Sequence, residues 1–282
     1  MRLKCNHCDG IHKSMNIHFT GECNYACPFC IDFANRCKGK NPPNVRKIIN
    51  TIIEHQNGFE DVLFLGGEPC LYLEDLLYCV QQVKRLTNLK IYVTTSVPYK
   101  CFAQKSTFFD LLELVDGLNI SAHHYNEEIA DCIRHNNSQY DRQEFYNSLP
   151  FKEKIRINLN LVKPYLSTRK DILTCIHHYD EMGFGSILLR ELQNSPKYFV
   201  SFEDAMGIHM PSPYANGCQT LIDIPEETFS TPIILKRSCF LVEETISVSW
   251  EDVLKSFIKI FKTFPENKFG VIWEDGSMTE RW

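Results

Sequence analysis

Short apolar segments alternate with stretches of helical periodicity from residue 15 onward, and this alternation restricts the fold more than any other feature. Each segment is nearly continuous in apolar residues except at its C-terminal end. The six predicted strands are MNIHFT (15–20), DVLFLGG (61–67), KIYVTTS (90–96), GLNISAH (117–123), KIRINLNLV (154–162) and SILLREL (186–192). The pattern predicts an α/β protein built from parallel βα units.

Helical periodicity fills most of the gaps between these strands. The predicted helices cover residues 44–56, 73–86, 107–114, 126–134, 141–147 and 168–181. When helices cover parallel strands, functional groups collect at the C-terminal ends of the strands. The polar residues of the six segments concentrate at those ends, so we expect the functional site there.

The C-terminal third has a different pattern, with proline-containing loops after about residue 193. The sequence predicts a hairpin over residues 220–244 with Pro225 in its turn, and a helix near 249–263. A last hairpin, over residues 270–282, is predicted to turn at Asp275-Gly276. This third is therefore predicted to be a separate small α+β appendage.

Composition excludes some classes of protein. The net charge of -5 provides no basic field that would attract duplex nucleic acid. The sequence also has no run of about 18 apolar residues, which a membrane-spanning helix would need. The N-terminus lacks the apolar stretch of a signal peptide, and the 13 cysteines are an odd number. These features predict a cytoplasmic protein in a reducing compartment, with some of its thiols bound to metal.

Three cysteines follow the first predicted strand in the segment GECNYACPFC. Cys23, Cys27 and Cys30 have the spacing C-x3-C-x2-C, which lets three thiolates converge. Thiolates select iron–sulfur clusters or zinc, and three ligands leave one iron of a 4Fe-4S cluster open to another molecule. The alternative is a non-catalytic iron–sulfur or zinc protein, for example a zinc knuckle completed by Cys37, or a group of structural thiols.

The cysteine motif lies at the C-terminal end of a strand, and an aromatic residue, Phe29, precedes its last cysteine. With these features, residues 15–192 resemble the radical S-adenosylmethionine (SAM) superfamily. The resemblance implies a partial (βα)6 barrel of the TIM-barrel kind, and SAM bound at the open iron of a 4Fe-4S cluster. It further implies that the reduced cluster cleaves SAM to methionine and a 5'-deoxyadenosyl radical, which abstracts hydrogen from a substrate. The resulting division is an extension over 1–14, the barrel over 15–192, and an appendage over 193–282 that covers the barrel mouth.

The same resemblance assigns SAM contacts to residues at the strand ends. The segment GGEP, Gly66, Gly67, Glu68 and Pro69, follows the second strand, and glycines let a backbone approach a ligand closely. In the superfamily this segment hydrogen-bonds the amino group of SAM. Further contacts are implied for Thr94, Thr95, Ser96, Ser121 and His123. The alternative for these polar residues is helix capping.

Polar residues on the last two barrel strands form a second candidate group. Arg156, Asn158 and Asn160 alternate with apolar residues, so their side chains share one face of the fifth strand. Together with Arg190 on the sixth strand, they are candidates to bind the carboxylate of SAM or an anionic substrate. The alternatives are a solvated face or a salt bridge between neighbouring strands.

Four further cysteines are candidates for a second metal site. Cys5 and Cys8 form a C-x2-C pair, and Cys218 and Cys239 bracket the predicted hairpin. Some radical SAM enzymes hold an auxiliary 4Fe-4S cluster in a hairpin-plus-helix module called twitch, and the order here is similar but lacks its downstream cysteine pair. A second 4Fe-4S cluster, a zinc ion, or simply reduced cysteines remain as alternatives.

The stretch NIHFTGECNYACPFC is locally similar to the viperin branch and to the molybdenum-cofactor GTP cyclase branch of the superfamily. The chain has no room for an added peptide-binding domain, so we expect a small-molecule or nucleotide substrate. The alternative is a peptide- or protein-modifying enzyme, including a glycyl-radical activase. The resemblance also implies an electron donor such as flavodoxin or ferredoxin.

Overall fold

The computed structural model describes residues 14–30, 42–136, 140–192, 195–208, 219–221, 224, 227–236 and 270–279. All six predicted barrel strands are present, and neighbours in the chain pair in parallel. They are β1 Ser14–Thr20, β2 Asp61–Gly66, β3 Lys90–Thr95, β4 Gly117–Ser121, β5 Ile155–Leu161 and β6 Ser186–Glu191.

The six predicted helices are also confirmed, each within about two residues at either end. They are α1 Val45–His55, α2 Leu73–Leu86, α4 Lys105–Leu114, α5 Glu127–Arg134, α6 Arg142–Asn147 and α7 Arg169–Glu181. Two helices were not predicted, α3 Tyr99–Ala103 and α8 Phe202–Met206. Each has five residues, which is too short to show a helical repeat.

Four short strands extend the sheet beyond the six. β7 Gln219–Leu221 pairs antiparallel with β8 Ile233–Lys236, and β9 Gly270–Ile272 pairs antiparallel with β10 Met278–Thr279. The second pairing confirms the last predicted hairpin. The first confirms an antiparallel pair within the predicted 220–244 hairpin, whose turn at Pro225 and residues 237–244 lie outside the described residues. β8 joins β6 and β9 joins β1, both in parallel, to give the order β10-β9-β1-β2-β3-β4-β5-β6-β8-β7. The described strands do not close into a ring, which agrees with a partial barrel.

The two faces of the sheet differ in polarity. The apolar face carries a row of paired core residues, Ile17, Phe64, Val93, Leu118 and Ile155, all at most 1% exposed. Burying a side chain of this kind contributes about 1.5–3 kcal/mol. Because side chains alternate along a strand, the residues between them form the opposite face, called the polar face here. The polar face includes Thr94, Asn119, Ser121, Arg156, Asn158, Asn160 and Arg190.

Several predictions concern residues outside the described part of the chain. Cys5, Cys8, Cys218, Cys239 and the helix near 249–263 all lie there. The second cluster or zinc, and the covering of the barrel mouth by residues 193–282, therefore stay predictions. Among the residues that the structure describes, no helix is long and apolar enough to span a membrane.

Candidate active site

The cysteine loop, residues 21–30, leaves the C-terminal end of β1. Cys23, Cys27 and Cys30 are partly exposed thiols, none of them in a disulfide. The Tyr25 N–H donates to Cys23 Sγ at 3.4 Å, and the Cys30 N–H donates to the Cys27 carbonyl at 3.1 Å. No three His, Cys, Asp or Glu side chains in the described ranges are grouped to hold a single metal ion. Three thiols in one loop are a ligand set that fits an iron–sulfur cluster.

The GGEP segment packs directly against the cysteine loop. The Gly67 N–H donates to the Thr20 carbonyl at 2.7 Å, and the Glu68 N–H donates to the Glu22 carbonyl at 2.8 Å. A Cβ atom on Gly67 would lie 2.1 Å from the Glu22 carbonyl oxygen, and Gly66 has a φ of +131°. Only glycine fits both positions, because any side chain would push this backbone away from the loop.

Glu68 connects the ends of β2 and β3. Its buried carboxylate accepts hydrogen bonds from Thr95 Oγ1 (2.6 Å), the Ser96 N–H (2.7 Å) and the Cys70 N–H (3.1 Å). Burial raises the pKa of Glu68, and the hydrogen bond from Thr95 opposes that rise. Pro69 is buried and begins a 3-10 turn that ends at Tyr72. The Glu68 and Thr95 side chains are thus hydrogen-bonded to each other. The SAM contacts predicted for the GGEP segment and for Thr95 stay predictions.

His123 follows β4 in a strained conformation, with a φ of 67°. Its ring is 5% exposed and packs edge-on against Phe29, with 5.6 Å between ring centroids. Its Nδ1 atom has no hydrogen-bond partner among the described residues. Burial and the nearby charge of Arg134 lower the pKa of His123 to about 3, so the ring is neutral at pH 7.

The remaining predicted contacts lie along the polar face. Thr94 Oγ1 accepts a hydrogen bond from Asn119 Nδ2 at 3.1 Å, and Ser121 is half-buried at the end of β4. The Asn158 carbonyl accepts the His123 N–H at 3.4 Å, while Asn158 Oδ1 is buried without a partner in the described part of the chain. Unsatisfied polar atoms therefore remain at the ends of β4 and β5.

Arg156 and Arg190 are half-buried on the polar face, and the structure shows no ion pair for either within its described ranges. Glu191 points to the opposite face and accepts the Phe202 N–H at 2.8 Å, so it does not neutralise them. Burial, followed by repulsion from Arg156, lowers the pKa of Arg190 to about 10. Both arginines are still charged at pH 7, so this part of the polar face attracts anions.

One pair between β1 and the last hairpin, formed by the buried His18 and the partly exposed Glu274, was not predicted. His18 Nδ1 lies 2.9 Å from Glu274 Oε2, and the Trp273 ring packs against the imidazole at 5.0 Å. Alternation along β1 places His18 on the polar face, which was the available signal. Its partner is 256 positions away in the last hairpin, so the sequence does not indicate the contact.

Comparisons with known proteins agree with this arrangement. The model of the radical SAM superfamily matches residues 17–156, and this part of the chain belongs to that superfamily. An S-adenosylmethionine-dependent nucleotide dehydratase of a Thermoplasmatales archaeon is 38% identical over 72 residues, which cover 24% of this chain and 25% of that protein. The S-adenosylmethionine-dependent nucleotide dehydratase RSAD2 of Danio rerio is 30% identical over 127 residues, which cover 43% of this chain and 33% of that protein.

Among solved structures, SuiB of Streptococcus suis bound to its precursor peptide SuiA has the same barrel architecture. The TM-score is 0.54 at 18% identity, and the match covers 67% of this chain and 42% of SuiB. A likeness at this identity concerns the fold. The matched stretches span only about a quarter to a third of the length of the two curated relatives.

Proposed function

We propose that this protein is a radical SAM enzyme that reductively cleaves SAM and uses the resulting radical to abstract hydrogen from a nucleotide. The observation that carries the proposal is the docking of Gly66 and Gly67 against a loop that presents three thiols. This contact leaves no room for a side chain at either glycine, and it brings the backbone for the SAM amino group beside the cluster ligands.

Each group has a separate task in this proposal. Cys23, Cys27 and Cys30 hold a 4Fe-4S cluster, which with bound SAM supplies a 5'-deoxyadenosyl radical. The backbone of Gly66 and Gly67 accepts hydrogen bonds from the amino group of SAM. Phe29 and Pro69 shape the cavity beside the loop, and neutral polar groups contact the rest of SAM, namely Thr94, Ser96, Ser121, His123 and Asn158.

The arginines of the polar face favour an anionic substrate. One carboxylate of SAM neutralises only one guanidinium, and Arg156 and Arg190 both lack an acidic partner among the residues that the structure describes. A nucleotide phosphate supplies the second anion in a geometry that suits arginine. The names of the curated relatives, which are nucleotide dehydratases, support the same substrate class.

Three further parts of the proposal rest on the sequence. The protein works in the cytoplasm, where flavodoxin or ferredoxin supplies the electron that reduces the cluster. Cys5, Cys8, Cys218 and Cys239 are the candidates for a second 4Fe-4S cluster or zinc. Each of these proposals is open to measurement on the purified protein.

The test is iron and sulfide content after anaerobic reconstitution, followed by dithionite, SAM and an assay for 5'-deoxyadenosine. We expect about four irons per chain, or about eight if the other cysteines hold a second cluster. Cys27→Ala should abolish SAM cleavage, whereas Cys132→Ala, the matched control on an exposed face of α5, should not. Bound zinc without cleavage, or 5'-deoxyadenosine production by Cys27→Ala, would contradict the proposal.

A further inference from the structure

Tyr25 lies in the cysteine loop between Cys23 and Cys27, and its buried ring is close to two arginines. The guanidinium carbons of Arg134 and Arg142 are each 5.6 Å from the centre of the Tyr25 ring. Both arginine side chains are fully buried, and the tyrosine is 3% exposed. Cations at this distance from an aromatic ring are attracted to it, more strongly when water is excluded.

Hydrogen bonds fix the tyrosine on its polar side. Arg142 Nη2 donates to Tyr25 Oη at 2.9 Å and to Tyr140 Oη at 2.6 Å. Arg142 Nη1 contacts Glu127 Oε2 at 2.6 Å and Asp131 Oδ1 at 3.5 Å. The guanidinium of Arg142 therefore lies between the cysteine loop and the two carboxylates.

Arg134 holds the backbone next to the tyrosine. Its carbonyl accepts the Ala26 N–H at 2.9 Å, which attaches the loop to the end of α5. Its own side chain is held by two carbonyls, those of Ala130 (3.1 Å from Nε) and Ala122 (3.3 Å from Nη2). Between the first two cysteines, the Tyr25 side chain is thus held by Arg142 of α6, and the Ala26 backbone is held by Arg134 at the end of α5.

Stability alone is a weak reason for two fully buried guanidinium groups. Removing such a group from water is costly, and well-packed apolar residues often stabilise a core as much or more. Here both guanidiniums contact Tyr25, which lies in the same loop as the three cysteines. Positive charge close to an iron–sulfur cluster stabilises its more negative, reduced form.

We propose that Tyr25, Arg134 and Arg142 form a clamp that positions Cys23 and Cys27 for the cluster and makes its reduction potential less negative. The inference rests on the proposed function, because the positioning role requires the cluster that the proposed function assigns to the cysteine loop. The three side chains are positioning residues, because they act through the loop and need not touch SAM or substrate.

The first experiment uses the protein without a cluster and measures amide hydrogen exchange in the peptide that contains Ala26. Tyr25→Leu removes the ring that both guanidiniums contact, and Tyr25→Phe keeps the ring without its hydroxyl. We expect exchange at least about tenfold faster in Tyr25→Leu, a smaller change in Tyr25→Phe, and none in the control Tyr78→Leu on the exposed face of α2. Equal exchange in all four proteins would overturn the clamp.

The second experiment uses the reconstituted protein. Tyr25→Leu should lose its cluster to a chelator about tenfold faster than wild type, with Tyr25→Phe restoring most of the difference. In Arg134→Gln, Glu127 keeps its contact with Arg142, so the fold should survive while the midpoint potential becomes more negative. The control Lys84→Gln removes an exposed charge on α2 and should leave the potential unchanged.

The outcomes separate the two proposals. A cluster that forms in wild type but whose retention and potential are the same in every variant would overturn the clamp and leave the proposed function standing. If wild type binds no cluster, the proposed function fails, and the positioning role fails with it. The exchange experiment would then still show whether the loop is held by Tyr25.

Discussion

Two pairs of arginines in this protein differ in how their charge is neutralised. Arg134 and Arg142 are fully buried and contact Glu127, Asp131 and tyrosine hydroxyls. Arg156 and Arg190 are half-buried on the polar face, and no acidic side chain in the described residues pairs with them.

The difference separates structure from binding. A paired buried arginine is part of the folded framework, and its loss leaves its partners unsatisfied. An unpaired one lowers stability in the free protein and has a use only when an anion binds. The first pair is therefore expected to matter for folding and cluster positioning, and the second for ligand affinity.

The largest effect should come from removing one of the two paired arginines, Arg134 and Arg142, which are called the paired set here. Arg156 and Arg190 are called the unpaired set. Arg142→Met removes the 2.6 Å ion pair of Glu127 with Arg142 and the weaker contact with Asp131, so the free energy of unfolding should fall by about 3 kcal/mol. Urea denaturation measures this loss, with the exposed Arg85→Met as the control. If Arg142→Met were as stable as that control, the paired set would not be a structural element.

The next largest effect should come from ligand binding by the unpaired set. At a concentration of 100 times its Kd, a bound nucleoside triphosphate should stabilise wild type by about 2.7 kcal/mol. Arg190→Met should lose at least about 1.4 kcal/mol of this, a tenfold weaker binding. Thermal denaturation with a panel of nucleoside triphosphates tests this, and an identical shift in both proteins would remove Arg190 from the nucleotide site.

A smaller effect should appear in the pH dependence of stability, because arginines of both pairs contribute to the lowered pKa of His123. Burial, then Arg134 and Arg190, lower this pKa from 6.5 to about 3. The unfolded chain therefore binds more protons between these values, and the free energy of unfolding falls as the pH falls from 6.5.

His123→Asn removes this titration, and asparagine tolerates the positive φ. Between pH 6 and pH 5 the variant should lose about 1 kcal/mol less stability than wild type. Denaturant titrations at the two pH values provide the comparison. Equal losses would mean that the pKa of His123 is not lowered in the folded protein.

The smallest effect should be that of the unpaired set on the free protein. Without ligand, Arg190→Met should be within about 0.5 kcal/mol of wild type, or more stable, because it removes a desolvated and repelled charge. Urea denaturation without nucleotide or SAM measures the difference. A loss close to that of Arg142→Met would show that Arg190 has a partner and would erase the contrast between the pairs.

Local patterns allowed most of the fold to be predicted. The barrel strands are continuous apolar runs, and α2 was predicted with the same bounds because its apolar residues repeat at helical spacing. The addition of β9 and β8 to the sheet edges was not predictable, since strands of three and four residues specify no partner. Such pairings are set by tertiary packing.

The candidate site was predictable where the chemistry is local. The three cysteines, GGEP and the alternation of Arg156 with Asn158 are visible in single segments. Contacts between distant segments were missed, for example His18 with Glu274 and Tyr25 with Arg142. An arginine near a helix end is usually solvated, so nothing in the sequence distinguished Arg134 or Arg142 from surface residues.

The most direct test of the account follows deuterium from nucleotide to product. The reconstituted protein, with dithionite and SAM, is incubated with uniformly deuterated nucleotides, and 5'-deoxyadenosine is analysed by mass spectrometry. The account predicts deuterium in 5'-deoxyadenosine with at least one nucleotide, and none with Cys27→Ala. Formation of 5'-deoxyadenosine without deuterium from any nucleotide would contradict a nucleotide substrate, and its absence under all conditions would contradict the radical SAM activity itself.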